Sequence, residues 1–200
     1  YVAVNISSPN TPGLRALQEE QRLAELLKAL KIEQLALARA HGLYVPIALK
    51  IDPDMNDAQI AAVARQVVEH RFDAVIAANT TLTRPGLEHE LLAKETGGLS
   101  GVPLRALATR TIRVLYGELR GAIPIIGVGG IENAADAWDK LVAGADLVQI
   151  YTGFIYKGPE LIREIVAGLA DRVRTSGAPS LAEAVTRARR PISAALPVSS

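Results

Sequence analysis

The feature that most constrains the fold is an alternation. Short apolar runs over 1–6, 45–51, 73–81, 123–128 and 146–152 each give way to polar or glycine-rich residues, and stretches with helical apolar spacing lie between them. Runs that are apolar on both faces suit the strands of a parallel sheet covered by helices. Strands alternating with helices are the signature of right-handed βαβ units. Two architectures meet this pattern: a complete, open, doubly wound five-stranded sheet, or five-eighths of a closed (β/α)8 TIM barrel. An open sheet concentrates its site where the strand order reverses, whereas a barrel builds its site from every βα loop. Polar or glycine-rich residues follow all five runs here, which favours a barrel truncated to its last five β/α units. The chain also opens at Tyr1 inside an apparent strand, without Met, as a piece of a longer barrel would.

The intervening stretches carry their own punctuation. A helix is predicted over 14–40 on Leu23, Leu26, Leu27, Leu30 and Ile32, stopped by Gly42. Asn56 or Asp57 can cap the next, built on Ile60, Val63, Val67 and Val68. Pro103 opens a third with Ala108, Ile112, Leu115 and Leu119 inward. Asn133 caps a fourth carrying Ala134, Trp138, Leu141 and Val142, and Gly158-Pro159 opens a fifth carrying Ile162, Ile165, Val166 and Leu169. The barrel domain is expected over 1–174 and a tail over 175–200, with a short helix at 180–188 and a disordered final ten residues.

Bulk properties exclude several functions. A formal net charge of +1, with no basic stripe interleaved with aromatics, argues against a nucleic-acid partner, and the basic cluster at 187–190 reads as a solvated tail. With no cysteine there is no disulfide, thiolate metal site or thiol nucleophile. Asp52-Pro-Asp54 and Glu88-His-Glu90 lack ligand-like spacing around them, so no metal is placed. No apolar run approaches the roughly 18 residues that span a bilayer.

Three groups of residues could carry chemistry. Gly127, Gly129 and Gly130 follow one strand and Gly153 the next, the two loops where barrels often bind phosphate; such glycines can also simply turn tightly. Lys50 ends an otherwise apolar strand, so it either meets an anionic partner or snorkels to solvent. Asn5, Asn10 and Asn79 at strand ends offer donors and acceptors suited to a planar amide-bearing ring, or form turns. Ser8 has no neighbouring His–Asp pair and no nucleophile elbow, which weighs against a hydrolase triad.

The motif Asn5-Ile-Ser-Ser-Pro-Asn-Thr-Pro-Gly-Leu-Arg15 resembles the catalytic loop of class 2, quinone-linked dihydroorotate dehydrogenases. The resemblance continues through Pro46-Ile-Ala-Leu-Lys50, Ala78-Asn-Thr-Thr81, Thr96-Gly-Gly-Leu-Ser-Gly101, Pro124-Ile-Ile-Gly-Val-Gly-Gly-Ile131 and Leu147-Val-Gln-Ile-Tyr-Thr-Gly-Phe154, over about 1–173. It implies an FMN-binding barrel that oxidises dihydroorotate to orotate in pyrimidine synthesis and passes electrons to quinone. By the same resemblance Ser8 is the catalytic base, with Thr11 or water as a candidate proton relay. Asn5, Asn10, Asn79 and Thr80 would bind substrate, and Asn5, Lys50, Ala78, Gly101, Gly130, Tyr151 and Thr152 would bind FMN. Ala78 stands where threonine is frequent in the family and Thr152 where serine is. An N-terminal extension beyond this chain would meet the membrane and admit quinone, placing the parent protein peripherally on the cytoplasmic face of a bacterial inner membrane. Rival readings are a class 1 enzyme using fumarate or NAD, which Ser8 in place of cysteine disfavours, and a non-catalytic phosphate-binding module.

Overall fold

A computed structural model describes residues 1–11, 13–87 and 89–189; the expected disorder of the last ten residues falls outside them. Five strands, β1 (Val2–Asn5), β2 (Ile47–Lys50), β3 (Ala74–Ala77), β4 (Ile125–Val128) and β5 (Leu147–Gln149), form one sheet in the order β1-β2-β3-β4-β5. Every pairing is parallel. Sequential order without reversal rules out the doubly wound sheet, whose order reverses at a switch point. The chain is an arc of five consecutive β/α units of a (β/α)8 barrel, as expected from the loops.

The main core lies between the sheet and helices α1 (Glu20–His41), α2 (Asp57–Glu69) and α3 (Arg105–Leu119). Leu49, Val75 and Ile125 point from the strands into Leu23, Leu27, Ile60, Val63, Ile112 and Leu115. A second cluster joins α4 (Ala134–Ala143), α6 (Glu160–Ser176) and α7 (Leu181–Arg189) through Ala137, Leu141, Leu161, Ile165, Leu169 and Val185. The alternate strand residues Ala48, Ile76, Ile126 and Val128 form a small cluster on the other, concave face.

Carboxylates set the strand starts. Asp73, just before β3, accepts the Ile47 N–H of β2 at 2.9 Å, and Asp146, just before β5, accepts the Ile125 N–H of β4 at 2.8 Å. Asp73 also accepts from Gln34 Nε2 at 2.8 Å and from the Tyr44 hydroxyl at 2.6 Å, with Lys31 Nζ 3.8 Å away. Burial works to raise its pKa, but these hydrogen bonds and the nearby ammonium hold the carboxyl below its ordinary range.

Several elements differ from the sequence reading. The first helical stretch is broken: Leu14–Gln18 forms a 3-10 turn, Glu19 is extended, and α1 starts at Glu20. Gln18 explains the break, since its amide accepts from Asp52 N–H at 3.1 Å and donates to the Arg15 carbonyl at 3.5 Å. Ile32 faces solvent while Gln34 is buried, and on α6 Ile162 and Val166 are exposed while Leu161 replaces them in the core. The fifth strand stops at Gln149, because its partner β4 ends at Val128, after which Gly129 and Gly130 take positive φ; Thr152 instead opens a short helix, α5 (Thr152–Lys157). The Asn56 and Asn133 caps form as expected, the former as a capping box with Gln59. Within the basic cluster Arg187 pairs with Glu183 on the surface, but Arg189 is half-buried: it donates to the Leu141 and Ala145 carbonyls and stacks 4.6 Å over Tyr116.

A depressed carboxylate contributes in full above the unfolded-state pKa, ~4, and the contribution is lost as pH falls through the lower folded-state value. Asp73→Ala, which leaves the Ile47 N–H and the Gln34 amide without their acceptor, is expected to lower unfolding free energy by about 2 kcal/mol at pH 7. Denaturant melts at a series of pH values should show that difference shrinking below about pH 4.

Candidate active site at the carboxyl ends of the strands

Register brings the polar strand ends together. Asn5 pairs with Lys50 across β1 and β2, and Lys50 with Ile76 of β3. Just beyond β1 the chain turns Ser7 inward, fully buried, where a hydroxyl needs partners. It donates to Asn5 Oδ1 at 3.1 Å and accepts from Asn79 Nδ2 at 3.0 Å. Asn79 Nδ2 also reaches Asn5 Oδ1 at 3.2 Å, and its own Oδ1 accepts the Thr80 N–H at 2.8 Å. Asn5, Ser7 and Asn79 therefore form one closed cluster. Ser7 was not among the expected site residues, although its two-residue spacing from Asn5 could have flagged it.

Ser8, the next residue, is half-buried, and its Oγ accepts the Asn10 N–H at 3.3 Å. Among the described residues no hydrogen bond joins Thr11 to Ser8; the Thr11 carbonyl instead accepts from Leu14 N at 3.2 Å. Asn10 faces Gly97, and Gly98 packs so tightly on Thr80 that a Cβ there would lie 1.8 Å from Thr80 Oγ1 and 3.0 Å from Pro9 Cγ. The serine loop and the 84–101 loop are thus pressed together. Arg84 shapes the latter, donating to the carbonyls of Thr81, Leu82, Thr83, Ala93, Glu95 and Gly97.

Beside this cluster opens a cavity of about 250 Å³, lined by Lys50, Ala78, Asn79, Thr80, Ser100, Gly101, Gly129, Gly130, Gln149, Tyr151 and Thr152, among others. All the residues expected to bind cofactor line it except Asn5. Gly101 and Gly130 have φ of 77° and 70°; a Cβ on Gly101 would meet Thr152 Cγ2 at 3.3 Å, and one on Gly130 would meet Arg105 Cβ at 2.6 Å. Thr152 Oγ1 donates to Ser100 Oγ at 2.9 Å. Tyr151 stands at the rim, 75% exposed.

The glycine wall is braced from behind. Arg105 Nε donates to the Gly130 carbonyl at 2.7 Å and Nη1 pairs with Asp136 at 2.9 Å. Lys140, fully buried, donates to the Arg105 carbonyl at 3.0 Å and to Thr109 Oγ1 at 2.7 Å. Burial, aided by Arg105 and opposed by Asp136 and Asp139, pushes the Lys140 pKa down to about 8.

Two groups in the cavity lack partners among the described residues. Lys50 makes no ion pair among the described residues, and burial lowers its pKa from the ordinary lysine value. Gln149 Oε1 is buried with no donor; the sequence reading had passed it over as a strand residue. Arg15, quoted only as the end of the motif, and Asp52 and Asp54, weighed only as metal ligands, form a half-buried ion cluster under the serine loop.

A β/α arc with polar and glycine loops gathered at the carboxyl rim of its strands defines a ligand-binding (β/α)8 barrel. The family model for dihydroorotate dehydrogenase matches residues 1–173, and the chain belongs to that family. It is 59% identical over 167 residues to a protein of Shewanella amazonensis named dihydroorotate dehydrogenase (quinone), covering 84% of this chain and 49% of that protein. A relative of the same name from Shewanella woodyi is 58% identical over 174 residues, covering 87% and 51%. The chain spans about half the length of these curated relatives. Among solved structures, DHODH from Eimeria tenella in complex with ferulenol superposes with a TM-score of 0.86 at 33% identity, covering 92% of this chain and 53% of that one. The class 2 resemblance read from the motifs agrees with these relatives.

Gly98 has no positive φ, so substitution there tests the loop contact alone. Gly98→Ala must displace Thr80 or Pro9 and is expected to lower stability by about 1–3 kcal/mol, read as a reduced urea midpoint with an unchanged slope.

Proposed function

We propose that this chain forms the substrate-facing and flavin-facing part of a quinone-linked dihydroorotate dehydrogenase, oxidising (S)-dihydroorotate to orotate in pyrimidine synthesis. The observation that carries this reading is the unpaired Lys50 in a glycine-walled cavity directly beside the Asn5–Ser7–Asn79 cluster. The cavity's groups fit FMN. Positive-φ glycines leave backbone open to a phosphate, the Lys50 ammonium suits electron-rich ring atoms, and Gln149 Oε1 offers an acceptor to a ligand N–H. Gly101, Gly130, Tyr151 and Thr152 would hold the phosphate end, and Asn5, Lys50 and Ala78 the ring. When bound, FMN supplies the hydride acceptor and the electron path to quinone.

The chain's own residues divide the rest of the work. Ser8 takes the proton from substrate C5 as hydride leaves C6. A serine is a weak base at its free pKa, and the Asn10 N–H on Ser8 Oγ favours negative charge on that oxygen. The proton then leaves by relay through Thr11 or water; since no hydrogen bond joins Thr11 to Ser8 among the described residues, the Thr11 route needs the loop to close on substrate. Asn10, Asn79 and Thr80 orient the substrate ring, while the closed Asn5–Ser7–Asn79 cluster keeps the strand ends from rotating away. Quinone entry and peripheral membrane attachment, on the cytoplasmic face of a bacterial inner membrane, are assigned to polypeptide outside these residues. Among the described residues no helix is long and apolar enough to cross a membrane.

Anaerobic mixing of the complete, FMN-loaded polypeptide with dihydroorotate should bleach the flavin absorbance, and Ser8→Ala should slow that bleaching by roughly 10²–10⁴-fold, the size of a general-base contribution. Absent bleaching in the wild type would refute the reading. Thr11→Ala tests the relay by the same stopped-flow measurement and should slow the reaction; an unchanged rate removes Thr11 from the path. Lys50 is cationic below its lowered pKa and neutral above it, so FMN retention should weaken as pH rises through that value. Lys50→Met should weaken retention and abolish the pH dependence in an ultrafiltration assay.

A further inference from the structure

We infer that Arg15 is a positioning residue for the Ser8 loop, holding the base in register with the Asn79–Thr80 substrate edge through a half-buried ion cluster. The inference rests on the role given to Ser8 above. Its basis is how one guanidinium distributes its donors. Arg15 Nε donates to the Ser7 carbonyl at 3.2 Å, one peptide before the base, and Nη2 donates to the Thr80 carbonyl at 3.3 Å. Nη1 pairs with Asp52 at 2.8 Å and Asp54 at 3.2 Å. The planar fork fixes the spacing of its acceptors, so the loop after β1 and the strand end of β3 are held at one separation by one rigid group.

The carboxylates are themselves tied to the substrate edge. Asp54 accepts from the Thr81 hydroxyl and, at 2.8 Å, from the Leu82 N–H. Asp52 accepts the Asp54 N–H at 2.8 Å, and Gln18 links Asp52 N–H back to the Arg15 carbonyl. Side-chain exposure is 21% for Arg15, 7% for Asp52 and 18% for Asp54, so the cluster is half-buried and borders an open cavity on the side away from the loop. Arg15 touches neither the cavity nor Ser8 Oγ; it acts through backbone carbonyls. Misplacement of a base by about an ångström can cost on the order of 10²-fold in rate.

Three variants of the complete polypeptide test this: Arg15→Met, Arg15→Lys and Asp54→Asn. Arg15→Met is expected to slow flavin reduction at saturating dihydroorotate by roughly 10²-fold, with KM changing much less than kcat and FMN content unchanged. The deuterium isotope effect from C5-labelled substrate should rise while that from C6 does not, because proton abstraction is the step disturbed. Arg15→Lys, which keeps charge without the fork, should recover only a small part of the rate, and Asp54→Asn should fall between. Amide hydrogen exchange supplies a readout independent of turnover: protection should drop in residues 6–11 and at 80–82 in Arg15→Met but hold in α2 and α3. Wild-type rates in Arg15→Met, full rescue by lysine, equal isotope effects at both carbons, or rate loss accompanied by loss of FMN and global protection would each overturn the inference. Exchange also separates the two claims, since a wild-type protein inert toward dihydroorotate would sink the functional reading while the loss of loop protection still tested Arg15.

Discussion

The site depends on parallel register, and register depends on carboxylates that grip the strand starts. Asp73 and Asp146 each precede a strand and accept the first N–H of the strand before it. A slip of one residue would send every inward side chain outward. With the register held, Asn5 and Lys50 lie side by side, and the polar or glycine residues beyond Lys50, Ala77 and Val128 emerge on one rim. The amino-terminal end of the sheet thus carries stability and the carboxyl end carries chemistry, a division general to barrels.

Between these ends the interactions change character. At the bottom, hydrogen bonds satisfy backbone and hold Asp73 ionised. At the top, polar side chains satisfy one another: Asn5 with Ser7 and Asn79, Arg15 with Asp52 and Asp54, Arg105 with Gly130 and Asp136. What these networks leave over is informative. Among the described residues Lys50 and Gln149 Oε1 find no partners inside the cavity, a state that is unfavourable in the protein alone and complementary to a ligand.

Much of this was legible in the sequence. Apolar runs ending in polar loops specified the barrel arc, and Asn56, Asn133 and Gly42 marked helix ends correctly, because these signals are local. Gly101, Gly129, Gly130, Gly153, Ala78, Thr80, Lys50 and Thr152 all line the same cavity, since strand ends in a parallel arc converge whatever the helices do; Gly127 does not, because it lies within β4, packed towards Ile112, Ala145 and Lys140. The missed residues act at long range. Ser7 needs Asn79, 72 residues away, to reveal its role, and Arg15 needs Thr80, 65 residues away. Ile162, Val166 and Ile32 misled because helical spacing states which residues share a face, not which face meets the core. The 3-10 turn before α1 escaped for the same reason, as Gln18 is drawn to Asp52 by tertiary contact.

The central claim is that the strand ends hold a flavin and dihydroorotate against Ser8. A crystal structure of the complete polypeptide with FMN and orotate tests it most directly. The account predicts the phosphate against the Gly130 backbone and Thr152, the flavin ring beside Lys50 and Gln149, and orotate between Asn10 and Asn79 with Ser8 Oγ facing its C5. Orotate bound away from Ser8, or a flavin outside the cavity lined by Lys50, Gly101 and Gly130, would contradict it.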